Sequence, residues 1–138
     1  MSASLVTVRP DETVQIAIAR MLEADVGSVA VCEEGRLLGI FTERDVLRLA
    51  GGGSPFRELR VGDVMTTHVF TVEPDDDVLG AARLMQEKRI RHLPVIQDGN
   101  VLGMLGIREV LRTLVERLWS AHDASARETA RDLLRRGA

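Results

Sequence analysis

The fold is decided by one stretch, Thr7-Val-Arg-Pro-Asp11, which returns later in the chain as Thr71-Val-Glu-Pro-Asp75. With residue 71 set against residue 7, an offset of 64, the match continues without a gap to Arg48 and Arg112. Identical residues occupy paired positions along it, among them Val14/Val78, Met21/Met85, Gly35/Gly99, Gly39/Gly103 and Leu47/Leu111. An ungapped match of this length, with its glycines in register, indicates a duplicated unit.

Each copy predicts a helix, a hairpin of two strands and a second helix. In the first copy, apolar residues recur at helical spacing from Val14 to Leu22, and carboxylates precede them, as they do at helix starts. Two short apolar runs, 29–32 and 37–41, flank Glu34-Gly35, a pair typical of a hairpin turn. A second helix follows around Leu47, and the second copy repeats the order.

The predicted fold class is α/β. It consists of two pseudo-symmetric repeats, each a short sheet with flanking helices, packed face to face and followed by a C-terminal helical extension. We divide the chain into a first repeat at 1–51, a linker at 52–60, a second repeat at 61–113 and a helical tail at 114–138. A unit of about 50 residues buries too little surface alone. The repeats should therefore bury their sheets against each other, and this creates two related clefts, where small ligands usually bind.

Composition disfavours several classes of function. The 138-residue chain carries a formal net charge of −3, which is a poor basis for binding nucleic acid. No apolar run approaches the roughly 20 residues of a membrane span. Cys32 is the only cysteine, and the three histidines lack paired spacing, so we expect no disulfide and no metal site. The N-terminus does not resemble a secretory signal, and we expect a cytoplasmic protein.

Motifs for catalysis are also absent from the sequence. No Gly-x-Ser-x-Gly elbow and no Gly-x-x-x-x-Gly-Lys-Ser/Thr loop occurs. We therefore expect no enzyme activity and no required cofactor, and a bound nucleotide would be sensed without being hydrolysed.

The stretch Gly39-Ile-Phe-Thr-Glu-Arg-Asp45 follows the pattern Gly, two apolar residues, Thr, two variable residues, Asp. Together with Thr71-Val-Glu-Pro-Asp75, Arg91-His-Leu-Pro-Val95 and the tandem arrangement, it resembles the cystathionine-β-synthase-type (CBS) domain over nearly the whole chain. The resemblance implies a stand-alone pair of CBS domains, called a Bateman module. It also implies adenosine-containing ligands in the clefts between the repeats, and a homodimer.

One cleft, the main cleft, combines Ile40, Thr42 and Asp45 of the first repeat with Arg91 and His92 of the second. Thr42 stands where a strand becomes a helix, and a helix start with a free hydroxyl favours phosphate. Asp45 offers acceptors to a ribose diol. The resemblance implies that Ile40 walls the base and that Arg91 and His92 face the phosphate, Arg91 being suited to bidentate pairing. Thr42-x-x-Asp45 is equally a capping box, and the two roles can coexist.

The other cleft, the second cleft, departs from this pattern. Gly106 replaces the threonine, Glu109 replaces the aspartate, and the opposing residue Ser28 follows a glycine with no cation nearby in sequence. We therefore predict one nucleotide site per chain, with the degraded second cleft empty or used by a different ligand.

The predicted function is regulatory. We expect a signal-transduction module that senses AMP, ADP or ATP, with S-adenosylmethionine or NAD as second choices. The alternative is a dimerisation or protein-interaction scaffold whose degenerate clefts bind nothing. After the second repeat, Leu114 and Leu118 continue an apolar face, and Ser125-Ala-Arg-Glu128 is a capping box that predicts a last helix. These C-terminal helices could pack on the domain, on a second copy or on another protein.

Overall fold

The computed structural model of the chain describes residues 4–120. Five strands and five helices lie along them, in the order β1 Thr7–Val8, α1 Val14–Ala24, β2 Ser28–Glu33, β3 Arg36–Thr42, α2 Glu43–Gly51, α3 Val61–Val64, α4 Val78–Lys88, β4 His92–Gln97, β5 Asn100–Gly106 and α5 Ile107–Ser120. The α/β class and the repeated order of elements are as predicted from the duplication.

The two hairpins form at the turns that the sequence predicts. Glu34 and Gly35 have φ angles of 52° and 80°, and Asp98 and Gly99 have φ angles of 53° and 81°. Positive φ at both central residues is the requirement of the tight turn that matches strand twist. Glycine adopts a positive φ without strain at the second of the two positions. The strands on either side of each turn pair antiparallel.

All five strands join in one sheet, in the order β1-β2-β3-β5-β4. The two hairpins are joined in this sheet by one residue pair, Arg36 opposite Asn100. Apart from this pair, the β3–β5 register links no other residues of the two hairpins. β1 lies parallel to β2. Each repeat can therefore pack its own helices while the two hairpins approach one another.

Apolar packing divides into one core per repeat and a third cluster that involves both. Phe41 and Leu105, equivalent residues of the two repeats, are both fully buried in their own cores. The third cluster brings residues of β2 and β3 against residues of β5: Ala30, Cys32, Ile40, Val101 and Met104. This cluster is the face-to-face contact that the sequence predicted. Burial raises the pKa of the Cys32 thiol, as expected of a small hydrophobic residue in a core.

The opening segment of each repeat, here called its lead-in, pairs with the opposite repeat; the first lead-in contains Ser4, and the second is residues 61–68. The Ile40 backbone N–H donates to the Thr66 carbonyl at 2.9 Å, and the Thr66 N–H donates back at 2.9 Å. At the other end, the Met104 N–H donates to the Ser4 carbonyl at 2.7 Å. Each lead-in thus crosses to the other repeat and holds the two together.

The segment after α2 packs on the first repeat. The Val14 and Gln15 N–H groups, at the start of α1, donate to the carbonyls of Leu59 and Phe56 at 2.9 and 3.0 Å. The side chains of Phe56 and Leu59 also contact the first core. Part of the predicted linker 52–60 therefore serves as a cap for α1. The proposed domain boundaries remain predictions.

The last described helix, α5, runs on to Ser120, past the predicted repeat boundary at 113. Val115 and Trp119 on it are 40% and 49% exposed, which leaves apolar surface on its final turns. The helix predicted to begin at Ser125 lies outside the described residues.

Candidate functional site

The main cleft is a cavity of about 550 Å³ between the start of α2 and the loop that joins α4 to β4. The five residues that the sequence proposes for it come from both repeats and all line this cavity: Ile40, Thr42, Asp45, Arg91 and His92. The structure therefore brings the predicted carboxylate and the predicted guanidinium to one hollow.

Thr42 and Asp45 form the capping box that the sequence offered as their second role. The Thr42 N–H donates to Asp45 Oδ2 at 3.0 Å, and the Asp45 N–H donates to Thr42 Oγ1 at 3.4 Å. These two bonds satisfy backbone donors that the first turn of α2 cannot pair internally. The box fixes the side chains of both residues at the mouth of the helix.

Two further groups hold the Asp45 carboxylate, which is only 7% exposed as a residue. Thr66 Oγ1 donates to Asp45 Oδ1 at 3.3 Å, and Arg48 Nη2 lies 3.3 Å from the same oxygen. A ribose diol at Asp45 would have to share these acceptors or displace Thr66. Oδ2 accepts from the Thr42 N–H, and Oδ1 accepts from Thr66 and pairs with Arg48. Both carboxylate oxygens therefore already have donors.

Sequence reasoning missed part of the cleft lining. The additional lining residues are Glu43, Arg44, Leu47, Thr66, Arg89 and Ile90. Local sequence patterns do not place Thr66 in the cleft, because it reaches the cleft through its backbone pairing with Ile40 of the other repeat. The sequence holds one signal for it, the lead-in Val64-Met-Thr66 placed directly before the second copy.

The charges around the main cleft favour an anion. Arg44, Arg89 and Arg91 line it together with His92, against the carboxylates of Glu43 and Asp45. Arg89 caps the C-terminus of α4 with a φ of 55°, and Arg91 follows it just before β4. Guanidinium groups at the rim can pair with phosphate oxygens, while Ile40, Leu47 and Ile90 supply an apolar wall for a base.

The second cleft is a separate cavity of about 130 Å³, and Ser28, Gly106 and Glu109 all line it. That volume is below the roughly 300–1,000 Å³ of typical small-molecule sites. Glu109 Oε2 lies 2.6 Å from where a Cβ would stand at Gly106, so the glutamate side chain folds over the glycine. The second cleft is therefore the smaller of the two, and the Glu109 side chain occupies the position where the main cleft has Thr42.

Three residues line both cavities: Glu43, Arg91 and His92. His92 Nδ1 lies 3.1 Å from the hydroxyl of Ser28, its own counterpart in the first repeat. Burial lowers the pKa of His92, although the neighbouring Glu43 and Glu109 carboxylates act in the opposite direction. The two cavities thus share a polar wall that lies on the contact between the repeats.

Residues 4–120 hold neither a metal-binding cluster nor a membrane-spanning helix. No cluster of three or more His, Cys, Asp or Glu side chains there could hold a metal ion. None of the helices in this range combines the length and the apolar character needed to cross a membrane.

Comparison with known proteins identifies relatives of both repeats. The model of the CBS domain family matches residues 1–52 and 61–116. The mitochondrial CBS domain-containing protein CBSX3 of Arabidopsis thaliana is 41% identical over 111 residues, covering 76% of this chain and 54% of that protein. The chain thus spans about half the length of this relative.

Solved structures are similar in fold as well. The crystal structure of the CBS-domain protein NE2398 has a TM-score of 0.77 at 32% identity, covering 83% of this chain and 90% of that one. The crystal structure of CBSX2 in complex with AMP has a TM-score of 0.71 at 28% identity, covering 81% of this chain and 88% of that one.

Proposed function

Since the chain belongs to the CBS-domain family, we propose that it is a non-catalytic regulatory module whose main cleft binds an adenosine nucleotide. One observation carries the proposal: five residues chosen from both repeats line one cavity of about 550 Å³. That volume lies within the range of small-molecule pockets. The AMP bound to CBSX2 supports a ligand of the AMP, ADP or ATP type.

Each proposed contact follows from the chemistry of a lining residue. Asp45 accepts from the ribose hydroxyls, and Ile40 packs against the base. Thr42 and Arg91 bind the phosphate, with His92 beside them: Arg91 pairs through its guanidinium, and the Thr42 hydroxyl exchanges its 3.2 Å hydrogen bond to Asp45 Oδ2 for one to a phosphate oxygen. The ligand therefore touches both repeats at once.

Regulation would arise from this bridging position. A ligand shifts an equilibrium between two packings of the repeats only if it binds one of them more tightly. Because Asp45 belongs to the first repeat and Arg91 to the second, a nucleotide favours the packing that holds them together. The surface presented to a partner would then report the concentration of the ligand.

We expect one molecule of AMP, ADP or ATP to bind per chain and to raise the melting temperature. A ligand at about 100 times its dissociation constant stabilises a protein by about 2.7 kcal/mol, which is several degrees for a domain of this size. Isothermal titration calorimetry gives the stoichiometry. Arg91→Gln should weaken binding about ten-fold or more, since a charge-assisted hydrogen bond contributes about 1.5–3 kcal/mol.

The matched control is Arg108→Gln, a neighbouring exposed arginine that lines the second cleft alone. It should leave nucleotide affinity close to that of the unchanged chain. A chain whose melting temperature none of the three nucleotides moves would contradict the proposal. Two molecules bound per chain would contradict the single site.

The second candidate function is a scaffold that binds no small molecule. It is favoured by the hydrogen bonds of Asp45, whose acceptors are already used by Thr42, Thr66 and Arg48. Under this alternative, the main cleft is a structural junction, and the same calorimetry would detect no nucleotide.

We also propose that two copies of the chain form a dimer through their helical faces. Leu47 of α2 and Leu111 of α5, equivalent residues of the two repeats, are 74% and 54% exposed. A dimer that packed through these two helices would bury both equivalent leucines. Sedimentation should show the mass of two chains, and the double variant Leu47→Glu/Leu111→Glu should sediment as one. A single-chain mass for the unchanged protein would contradict the dimer.

Two further expectations stay predictions. The exposed apolar side chains at the end of α5, Val115 and Trp119, suit a second protein that docks on the C-terminal helices. A cytoplasmic location remains the expectation from the sequence.

A further inference from the structure

His92 occupies the contact between the two repeats and faces both cavities. It is the first residue of β4, and its Nδ1 lies 3.1 Å from the buried hydroxyl of Ser28. Its ring also packs over Gly27, where a Cβ would stand 3.2 Å from His92 Cε1. Within residues 4–120, Nε2 of the same ring has no hydrogen-bond partner. The ring is therefore held at Nδ1 by Ser28, Nε2 is left without a partner among these residues, and His92 lines the main cleft.

Charged groups reach this ring from several elements. Glu43 of α2 and Glu109 of α5 favour the imidazolium form, whereas Arg91 and Arg108 oppose it. Asp25, the cap of α1, lines the cavity on the same side. Burial outweighs the carboxylates and keeps the pKa of His92 below its usual value, so the ring is neutral at neutral pH.

We propose that His92 takes up a proton when a nucleotide phosphate enters the main cleft, so that nucleotide affinity rises as the pH falls. This inference rests on the proposed function of the main cleft and names a regulation of that same site. The response of the module to a nucleotide would then depend on the pH.

The physical basis is the charge that the phosphate brings. Its negative oxygens offset the repulsion between Arg91 and an imidazolium, and a new anion close to the ring favours the charged form. Nε2 carries the proton of a neutral ring whose Nδ1 accepts from Ser28, and it can donate to a phosphate oxygen; the proton taken up on binding goes to Nδ1. The contact with Ser28 survives, because a hydroxyl donates to a neutral Nδ1 and accepts from a protonated one.

The direction of the pH effect follows from linkage. Proton uptake on binding occurs at pH values between the lower pKa of the free protein and the higher pKa of the complex. Affinity therefore rises as the pH falls through that window and becomes constant below it. A phosphate monoester also titrates near pH 6, and pairing with Arg91 would make it release a proton. The contribution of His92 is therefore the difference in proton uptake on binding between the unchanged chain and a variant that lacks the imidazole.

Calorimetric titration with AMP in buffers of different ionisation enthalpy measures the protons taken up. The unchanged chain and His92→Gln are compared between about pH 6 and pH 8, with His68→Gln, an exposed histidine of the lead-in, as matched control. From pH 8 to pH 6, the affinity of the unchanged chain relative to His92→Gln should rise about five-fold, within the ten-fold per pH unit that one proton allows. His68→Gln should behave like the unchanged chain.

A second measurement decides the question even if His92→Gln loses all binding. The imidazole NMR signal of His92, assigned by its loss in that variant, should titrate at a higher pH with AMP than without it. An unchanged titration, or equal proton uptake by the unchanged chain and the variant, would overturn the inference and leave nucleotide binding intact. Absence of binding by AMP, ADP and ATP at every pH would overturn the proposed function itself.

Discussion

Replacing Gly39 with alanine should destabilise the chain by about 3 kcal/mol, the upper end of the range for overpacking. Gly39 lies buried on β3, beneath the lead-in of the second repeat. A Cβ at this position would stand 2.6 Å from the Thr66 carbonyl oxygen and 2.8 Å from Met65 Sδ. The methionine can move, but the carbonyl is held, since Ile40 and Thr66 exchange two backbone hydrogen bonds of 2.9 Å. Relief of the clash would break this pair.

The same substitution at Gly80 provides the control and should have the opposite sign. No atom lies within 4 Å of a Cβ at Gly80, which stands inside α4. Alanine there should stabilise the helix by up to about 1 kcal/mol. Urea unfolding of both variants measures the two effects. Equal stability of Gly39→Ala and the unchanged chain would show that the lead-in is not clamped on β3.

Local parts of this fold could be predicted because their causes are local. The turns at Glu34-Gly35 and Asp98-Gly99 depend on residues that tolerate positive φ, and both hairpins form there. The Thr42-x-x-Asp45 spacing fixes a helix start, and the capping box forms. The duplication adds a constraint that a single copy lacks, since it predicts that equivalent surfaces meet and that residues of different repeats share a cleft.

Features that depend on the path between the repeats could not be predicted. The crossing of Thr66 onto Ile40 pairs two backbones that no local pattern relates. The packing of Phe56 and Leu59 on the first core could not be predicted either, because glycines and a proline mark a break in helix or strand without saying where the next residues pack. The small volume of the second cleft also depends on how side chains pack in three dimensions. The sequence showed lost ligand groups there but not that Glu109 covers Gly106.

Replacing Asp45 with alanine should lower the free energy of unfolding by about 2 kcal/mol, because it removes one half of the capping box and leaves the Thr42 N–H and the Thr66 hydroxyl without their acceptor. The Asp45 carboxylate accepts from the Thr42 N–H at 3.0 Å and from Thr66 Oγ1 at 3.3 Å. Its loss weakens the first turn of α2 and removes one side-chain contact to Thr66 at the same point. Thermal or urea unfolding without ligand measures this effect.

The same variant should also lose nucleotide binding if the proposed ribose contact is right. A loss of affinity could arise from the disturbed helix start alone, so a second variant is needed. Thr66→Val removes one donor to Asp45 and keeps the carboxylate, the capping box and the shape of the side chain. It should cost about 1 kcal/mol in stability, the contribution of one hydrogen bond, and retain binding. If Asp45 binds the ribose, Asp45→Ala should lose nucleotide affinity, whereas Thr66→Val should keep it although the chain is less stable.

Glu109→Ala is the matched control, since Glu109 is the equivalent residue of the second repeat. Within residues 4–120 its carboxylate accepts no hydrogen bond, so its removal should change stability by about 0.5 kcal/mol or less. Compared at about pH 8, above the range in which its charge bears on proton uptake by His92, it should leave nucleotide affinity nearly unchanged, because Glu109 lines only the second cleft. If Glu109→Ala and Asp45→Ala weakened binding equally, the two clefts would be equivalent. The asymmetry that assigns one nucleotide to each chain would then be wrong.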